Sequence, residues 1–146
     1  MKKEPGFLNV DLEIGARTSG QLAPLLDAFE GKLFELFRGR IRGIYRAHYE
    51  SIGCGRDAST TIRALVATIE ALDRAARRAW NAAAMRDFNI GVELARGVRS
   101  VELVLDHDVI EQVAALGGRI AFTAYNEAAI PRQRLTRGGT ARPSRS

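Results

Sequence analysis

Apolar and polar residues alternate along several stretches of the chain, which is the period expected of a strand with one buried face. In residues 7–14 the even positions are leucine, valine or isoleucine, and the odd positions include Asn9, Asp11 and Glu13. Residues 43–52 and 88–94 follow the same rule. Residues 32–38, 101–105 and 120–124 are shorter apolar runs next to turns that contain glycine. These six stretches are the predicted strands.

Three other stretches carry apolar residues at the three- and four-residue spacing of an amphipathic helix. The first begins near Leu22, with Pro24 in its first turn, and ends at residue 29. The second and longest covers residues 59–81. In the third, Asp108 and Glu111 resemble a capping box, and Gly117 follows the last apolar position.

Taken in chain order, these elements read β-α-β-β-α-β-β-α-β. Neighbouring strands joined by short glycine turns favour antiparallel pairing. The pattern therefore predicts an α+β fold, with a mostly antiparallel sheet and helices packed on one face in the ferredoxin-like style.

The composition predicts one domain of residues 1–130 and a disordered tail of residues 131–146. A chain of 146 residues with 46% hydrophobic positions has enough apolar side chains for one core. The tail holds five arginines and no acidic residue, and without them the 17 remaining basic residues balance 17 acidic ones. Weak nucleic-acid binding through these arginines is an alternative function. They are Arg132, Arg134, Arg137, Arg142 and Arg145.

Cysteine content and hydropathy bear on the cellular compartment. A single cysteine excludes an intrachain disulfide framework and is typical of a reducing cytoplasm. Neither a secretory signal nor a membrane span is recognisable in the sequence. The sequence thus predicts a cytoplasmic protein with no membrane partner and no cofactor.

The lone cysteine, Cys54, is a candidate nucleophile. It lies between two glycines, beside Arg56 and just before the longest predicted helix, and both the arginine and the helix N-terminus favour a thiolate. His48 is the nearest candidate base. The alternative, which we prefer, is that Cys54 is an incidental small residue in a loop.

Two further patterns suggest ion binding only weakly. The glycines of residues 53–60 precede a helix and could expose backbone donors to an anion, but the phosphate-loop spacing is absent, which favours a plain turn. Asp106, His107 and Asp108 are adjacent at a strand-to-helix corner. Side chains of consecutive residues diverge, so no metal site is predicted, and helix capping by Asp108 is expected instead.

The polar face of the predicted sheet is the more substantial candidate site. If the first strand and the strand of residues 43–52 are neighbours, their polar side chains share one surface. Such a face would bind a partner or hold an acid–base pair, and the alternative is an ordinary solvated sheet face. The side chains concerned are Asp11, Glu13, Arg46, His48 and Glu50.

The segments FLNVDLEI, FNIGVEL and VELVLDHDVIEQVAALGGRIAFTAYN resemble a family of small, uncharacterised bacterial α+β domains. The resemblance covers residues 7–126. It implies no catalytic residues, because such families have no established activity, and some of these domains are found among immunity proteins. Since no catalytic motif is complete, we expect a non-enzymatic domain that binds another protein through its sheet face or its longest helix.

Overall fold

The computed structural model describes residues 2–53 and 55–126, which form five strands and four helices. The observed order, β-α-β-β-α-α-β-α-β, confirms the predicted α+β class and differs from the expected order at two places. The elements are β1 (Phe7–Ala16), α1 (Ser19–Phe29), β2 (Leu33–Ile41), β3 (Ile44–Ser51), α2 (Ala58–Glu70), α3 (Arg74–Ala82), β4 (Met85–Leu94), α4 (His107–Ala115) and β5 (Arg119–Asn126).

The strands form a single sheet in the order β2-β3-β1-β4-β5. Every neighbouring pair is antiparallel except β4 and β5, which are parallel. The first four strands thus have the arrangement of the split βαβ motif, in which β3 lies between β1 and β2. The unit of α4 and β5 extends this sheet by one parallel strand.

Local sequence explains the ends of the first helix and hairpin. Thr18 caps α1 in a capping box with Gln21, so α1 begins three residues earlier than predicted and Pro24 lies within it. Arg42 and Gly43 both have positive φ, at 51° and 81°, as a two-residue type I′ turn requires. The turn between β2 and β3 therefore lies two residues beyond the predicted position.

The prediction of one helix over residues 59–81 was wrong. The chain leaves the helix after Glu70 and re-enters it at Arg74. The Asp73 carboxylate accepts a hydrogen bond from the Ala76 N–H at 2.8 Å, so Asp73 begins a second helix. Aspartate competes with the helical backbone in this way, which is why it favours a cap over a helix interior.

The predicted strand at residues 101–105 was also wrong. The segment of residues 95–106 has no regular secondary structure, because β4 is already flanked by β1 and β5. Leu103 and Leu105 nevertheless pack against the core, which accounts for their apolar alternation. The segment ends where the Asp106 N–H donates to Ser59 Oγ at 3.0 Å.

One hydrophobic cluster fills the space between the sheet and the helices. Trp80 of α3 is fully buried, and its indole N–H donates to the Leu116 carbonyl at 2.9 Å. Arg86 of β4 donates to three carbonyls at the ends of α3 and α4, those of Trp80, Asn81 and Gly117. The helical layer is thus attached to the sheet by both apolar burial and directed hydrogen bonds.

Candidate functional site

The face of the sheet that lies opposite the core carries polar side chains, and we call it the open face. On β1 the buried residues Val10, Leu12 and Ile14 alternate with the partly exposed Asn9, Asp11 and Glu13. Asp11 lies opposite Glu50 of β3, and Glu13 lies opposite His48 of β3. The structure therefore brings together the predicted set Asp11, Glu13, Arg46, His48 and Glu50 on two adjacent central strands.

Hydrogen bonds connect the open face across three strands. Thr123 of β5 donates to the Asn89 amide oxygen at 2.9 Å, and Asn89 Nδ2 donates to the Glu13 carboxylate at 3.0 Å. Asn9 Nδ2 donates to Asp11 at 2.9 Å. A Cβ at Gly91 would overlap the Asn9 side chain, so the glycine gives Asn9 the space to lie over the sheet. These amides fix the positions of the two carboxylates without neutralising their charge.

Asp11 is the most perturbed carboxylate of this face. Its partial burial, together with the nearby charges of Glu13 and Glu50, raises its pKa from 3.8 to about 6. Both effects disfavour the ionised form, since burial removes water and like charges repel. Within residues 2–53 and 55–126, no ion pair involves any of these three carboxylates. The middle of the open face therefore concentrates negative charge.

Arg46 and His48 complete the predicted set. The His48 ring lies 5.2 Å from the ring of Phe37 on β2, measured between centroids. Arg46 Nε and His48 Nε2 are buried, and neither has a hydrogen-bond partner in the described part of the chain. A buried polar atom without a partner costs about 1–3 kcal/mol, so both nitrogens need an explanation.

The sequence interpretation missed an ion pair on this face. Arg119 of β5 binds Asp87 of β4 through two hydrogen bonds of 2.8 Å, and Asp87 is 7% exposed. Asp87 escaped notice because β4 was expected to begin at Phe88, whereas it begins at Met85. The alternation of residues 88–94 continues backwards to Asp87, so extending that register was the available signal.

The structure describes only one member, His48, of the candidate cysteine–histidine pair. His48 lies in the middle of β3 on the open face, and Cys54 lies outside the described residues. The five tail arginines, Arg132, Arg134, Arg137, Arg142 and Arg145, also lie outside them. The enzymatic and nucleic-acid alternatives therefore stay predictions.

The glycine loop before α2 has a structural explanation. Asp57 caps α2, accepting from the Thr60 N–H at 2.7 Å, and this hydrogen bond lowers the pKa of the Asp57 carboxyl. A Cβ at Gly55 would overlap Thr61, so the close packing of the loop requires glycine. A polar cleft of about 420 Å³ opens beside this helix end, with Lys2, Arg56 and Arg63 among its lining residues. Asp57 thus occupies the position that an anion would take.

Asp106 and Asp108 both form ion pairs with one arginine. Arg63 of α2 lies 2.6 Å from Asp106 and 3.1 Å from Asp108, and this contact lowers the pKa of the Asp108 carboxyl. The helix-capping role expected of Asp108 was wrong, because α4 begins at His107 with Asp106 in the capping position. No group of three or more metal-binding side chains occurs among the described residues. The cluster therefore joins α2 to α4.

None of the described helices is long and apolar enough to cross a membrane. Comparison with known proteins found no matching family model, curated protein or solved structure. The resemblance to small α+β domains thus stays a prediction, and the open face has to be interpreted from its own geometry.

Proposed function

We propose that this chain is a non-enzymatic, cytoplasmic protein-binding domain whose open face binds a basic surface of another protein. One observation carries the proposal. Three carboxylates, Asp11, Glu13 and Glu50, lie close together on the open face, and none of them forms an ion pair within residues 2–53 and 55–126. A partner that supplies lysine or arginine side chains would form ion pairs with these carboxylates.

The energetics of burial favour such a partner. The charge of Asp11 is already costly in the free protein, as its raised pKa of about 6 shows. A lysine or arginine placed against Asp11 and Glu50 would favour the ionised form and offset part of that cost.

The charge of the open face argues against nucleic acid as the occupant of this site. Polyanions bind where lysine and arginine neutralise phosphates, and Asp11, Glu13 and Glu50 would repel them. Proteins that bind single-stranded nucleic acid on a sheet present aromatic rings on its central strands. Here the central strands present carboxylates, a histidine and an arginine. An immunity-type protein, which neutralises another protein by binding it, is one form that this function would take.

The proposal is tested by comparing two charge-matched variants in affinity capture from source-cell lysate. Asp11→Asn with Glu50→Gln removes two charges from the open face. Asp27→Asn with Glu70→Gln removes two exposed charges from the helical layer. We expect the control variant to retain the same partner as the wild-type chain, and the open-face variant to bind the purified partner at least about tenfold more weakly.

Titration of the purified partner against each chain at two salt concentrations completes the test. Partner binding that is equal for the two variants would place the interface elsewhere on the molecule. Hydrolase or transferase turnover by the purified chain, with no partner retained, would replace the binding function with an enzymatic one.

A further inference from the structure

The edge strand β2 is the most apolar exposed element of the described chain. One side of β2 pairs with β3, and its other side is the edge of the sheet. Phe34, Leu36 and Phe37 are 57%, 44% and 38% exposed. Unpaired backbone groups beside exposed apolar side chains form a template for another strand.

A β-bulge determines which backbone groups of β2 face outward. Glu35 lies opposite Tyr49 and Phe37 opposite His48, so Leu36 is the extra residue. Hydrogen bonds in an antiparallel pair alternate from residue to residue, and Ile41 opposite Ile44 closes the hairpin turn. We followed this alternation from Ile41 towards Leu33 and left out Leu36, because it is the extra residue. Four residues then have backbone N–H and C=O groups that point away from β3. They are Leu33, Glu35, Arg38 and Arg40.

These four residues are symmetric about the middle of the strand. An antiparallel copy of β2, related by a twofold axis between Leu36 and Phe37, pairs Leu33 with Arg40 and Glu35 with Arg38. In this register, each residue with outward-facing backbone groups lies opposite another such residue of the second copy, so all four can form hydrogen bonds between the copies. Shifting the register in either direction loses at least one of these pairs. Without the bulge, a twofold register centred between two residues would match outward groups to inward ones. The bulge therefore gives β2 a self-complementary edge.

The side chains agree with the same register. Glu35 and Arg38 lie on one side of the sheet, where they form an ion pair of 2.6 Å within the chain. In the paired strands, each Glu35 would also lie opposite an Arg38 of the other copy. On the open face, Phe34 of one copy would lie opposite Gly39 of the other, where it would meet the Phe37 ring that already covers Gly39 within the same chain.

We propose that two copies of this chain associate through antiparallel pairing of their β2 strands, so that the two sheets form one continuous ten-stranded sheet. The pairing joins the two open faces side by side, and it does not depend on the protein-binding function proposed above. An interface of one strand pair is small, so we expect a weak dimer that forms at chain concentrations of about 100 µM.

Charge reversal tests the register. In sedimentation equilibrium with the full chain, Glu35→Arg alone and Arg38→Glu alone each place like charges opposite one another twice. Each should weaken dimerisation by at least about tenfold, and combining them should restore it to within about threefold of the wild-type chain. Ala124→Arg, which adds a positive charge at an exposed position on the other edge strand, is the control and should leave dimerisation unchanged.

Disulfide trapping tests the register in a second way and does not rely on charge. In a Cys54→Ser background, chains carrying Glu35→Cys should crosslink efficiently with chains carrying Arg38→Cys, and poorly with themselves. Amide spectra of each variant verify that it is folded. A monomer at every concentration up to about 1 mM, a combined charge swap that stays monomeric, or equal weakening by Ala124→Arg would overturn the proposal.

Discussion

The two faces of the sheet carry their polar groups in different ways. On the helix-covered face, the Trp80 indole and the Arg86 guanidinium both donate to main-chain carbonyls at helix ends. On the open face, three carboxylates have no ion pair and two side-chain nitrogens have no hydrogen-bond partner within residues 2–53 and 55–126. Within these residues the helical layer leaves a single buried side-chain atom without a partner, Gln112 Oε1 of α4, so the first face is nearly complete within one chain and the second is not.

This difference separates packing from function. Residues whose hydrogen bonds are all made internally are expected to affect stability when changed. Residues that lie together without partners are expected to affect binding, and some of them should lower stability in the free protein. Substitutions on each face test that distinction.

The largest effect is expected at the centre of the helix-covered face. Trp80→Ala should lower the free energy of unfolding by about 3–5 kcal/mol, because it leaves a large cavity and an unpaired Leu116 carbonyl. Trp80→Phe keeps most of the ring and should cost less. Urea denaturation followed by far-ultraviolet circular dichroism gives both values. Equal costs for the two variants would mean that the hydrogen bond, and not the packing, dominates.

Substitution of Arg86, which lies on the same side of the sheet as Trp80, should cause the next largest loss of stability. Arg86→Ala removes the hydrogen bonds to three carbonyls and should cost about 2 kcal/mol. Arg86→Lys keeps the charge without the planar set of donors and should recover only part of the loss. Denaturation at low and high salt separates charge from hydrogen bonding. Full recovery by lysine would contradict the directed role given to the guanidinium.

Substitution of Asp11 should change the free energy of unfolding by a smaller amount, and it should raise stability instead of lowering it. Its pKa is about 6 in the folded chain and 3.8 as a free carboxyl, so the folded state binds more protons between these values. Stability should therefore fall as the pH rises from about 4 through 6, and Asp11→Asn should remove that loss. After allowance for solvent screening, the variant should gain about 1 kcal/mol at pH 8 and nothing at pH 4.

Denaturation profiles of the wild-type chain and Asp11→Asn across this pH range provide the measurement. Glu70→Gln, on the exposed side of α2, is the control, and its profile of stability against pH should run parallel to that of the wild-type chain. Parallel profiles for Asp11→Asn as well would show that the three carboxylates are not crowded in solution.

Much of the fold could be predicted because its strands alternate strictly. The alternation in β1 and β3 placed Asp11, Glu13, His48 and Glu50 on one face, and the register of the two strands confirms that placement. The positions of the glycines also predicted the hairpin between β2 and β3. These signals are local, so a single sequence is sufficient to reveal them.

Other features depended on long-range contacts that local patterns do not encode. Residues 101–105 alternate like a strand, and yet they pack Leu103 and Leu105 into the core without joining the sheet. Arg63 is 43 residues from Asp106, so their pairing could not be recognised from spacing. The bulge at Leu36 shifts the register by one residue, which the apolar pattern of β2 conceals.

The parallel pairing of β4 with β5 has a consequence for how the chain folds. The antiparallel hairpin of β2 and β3 needs only a two-residue turn, whereas β5 can reach β4 only after residues 95–118 have crossed over the core. Closing a long connection lowers the chain entropy before any new contact forms to offset that loss. The unit of α4 and β5 should therefore be the last to join the sheet and the first to exchange its amide protons, while the split βαβ core stays protected.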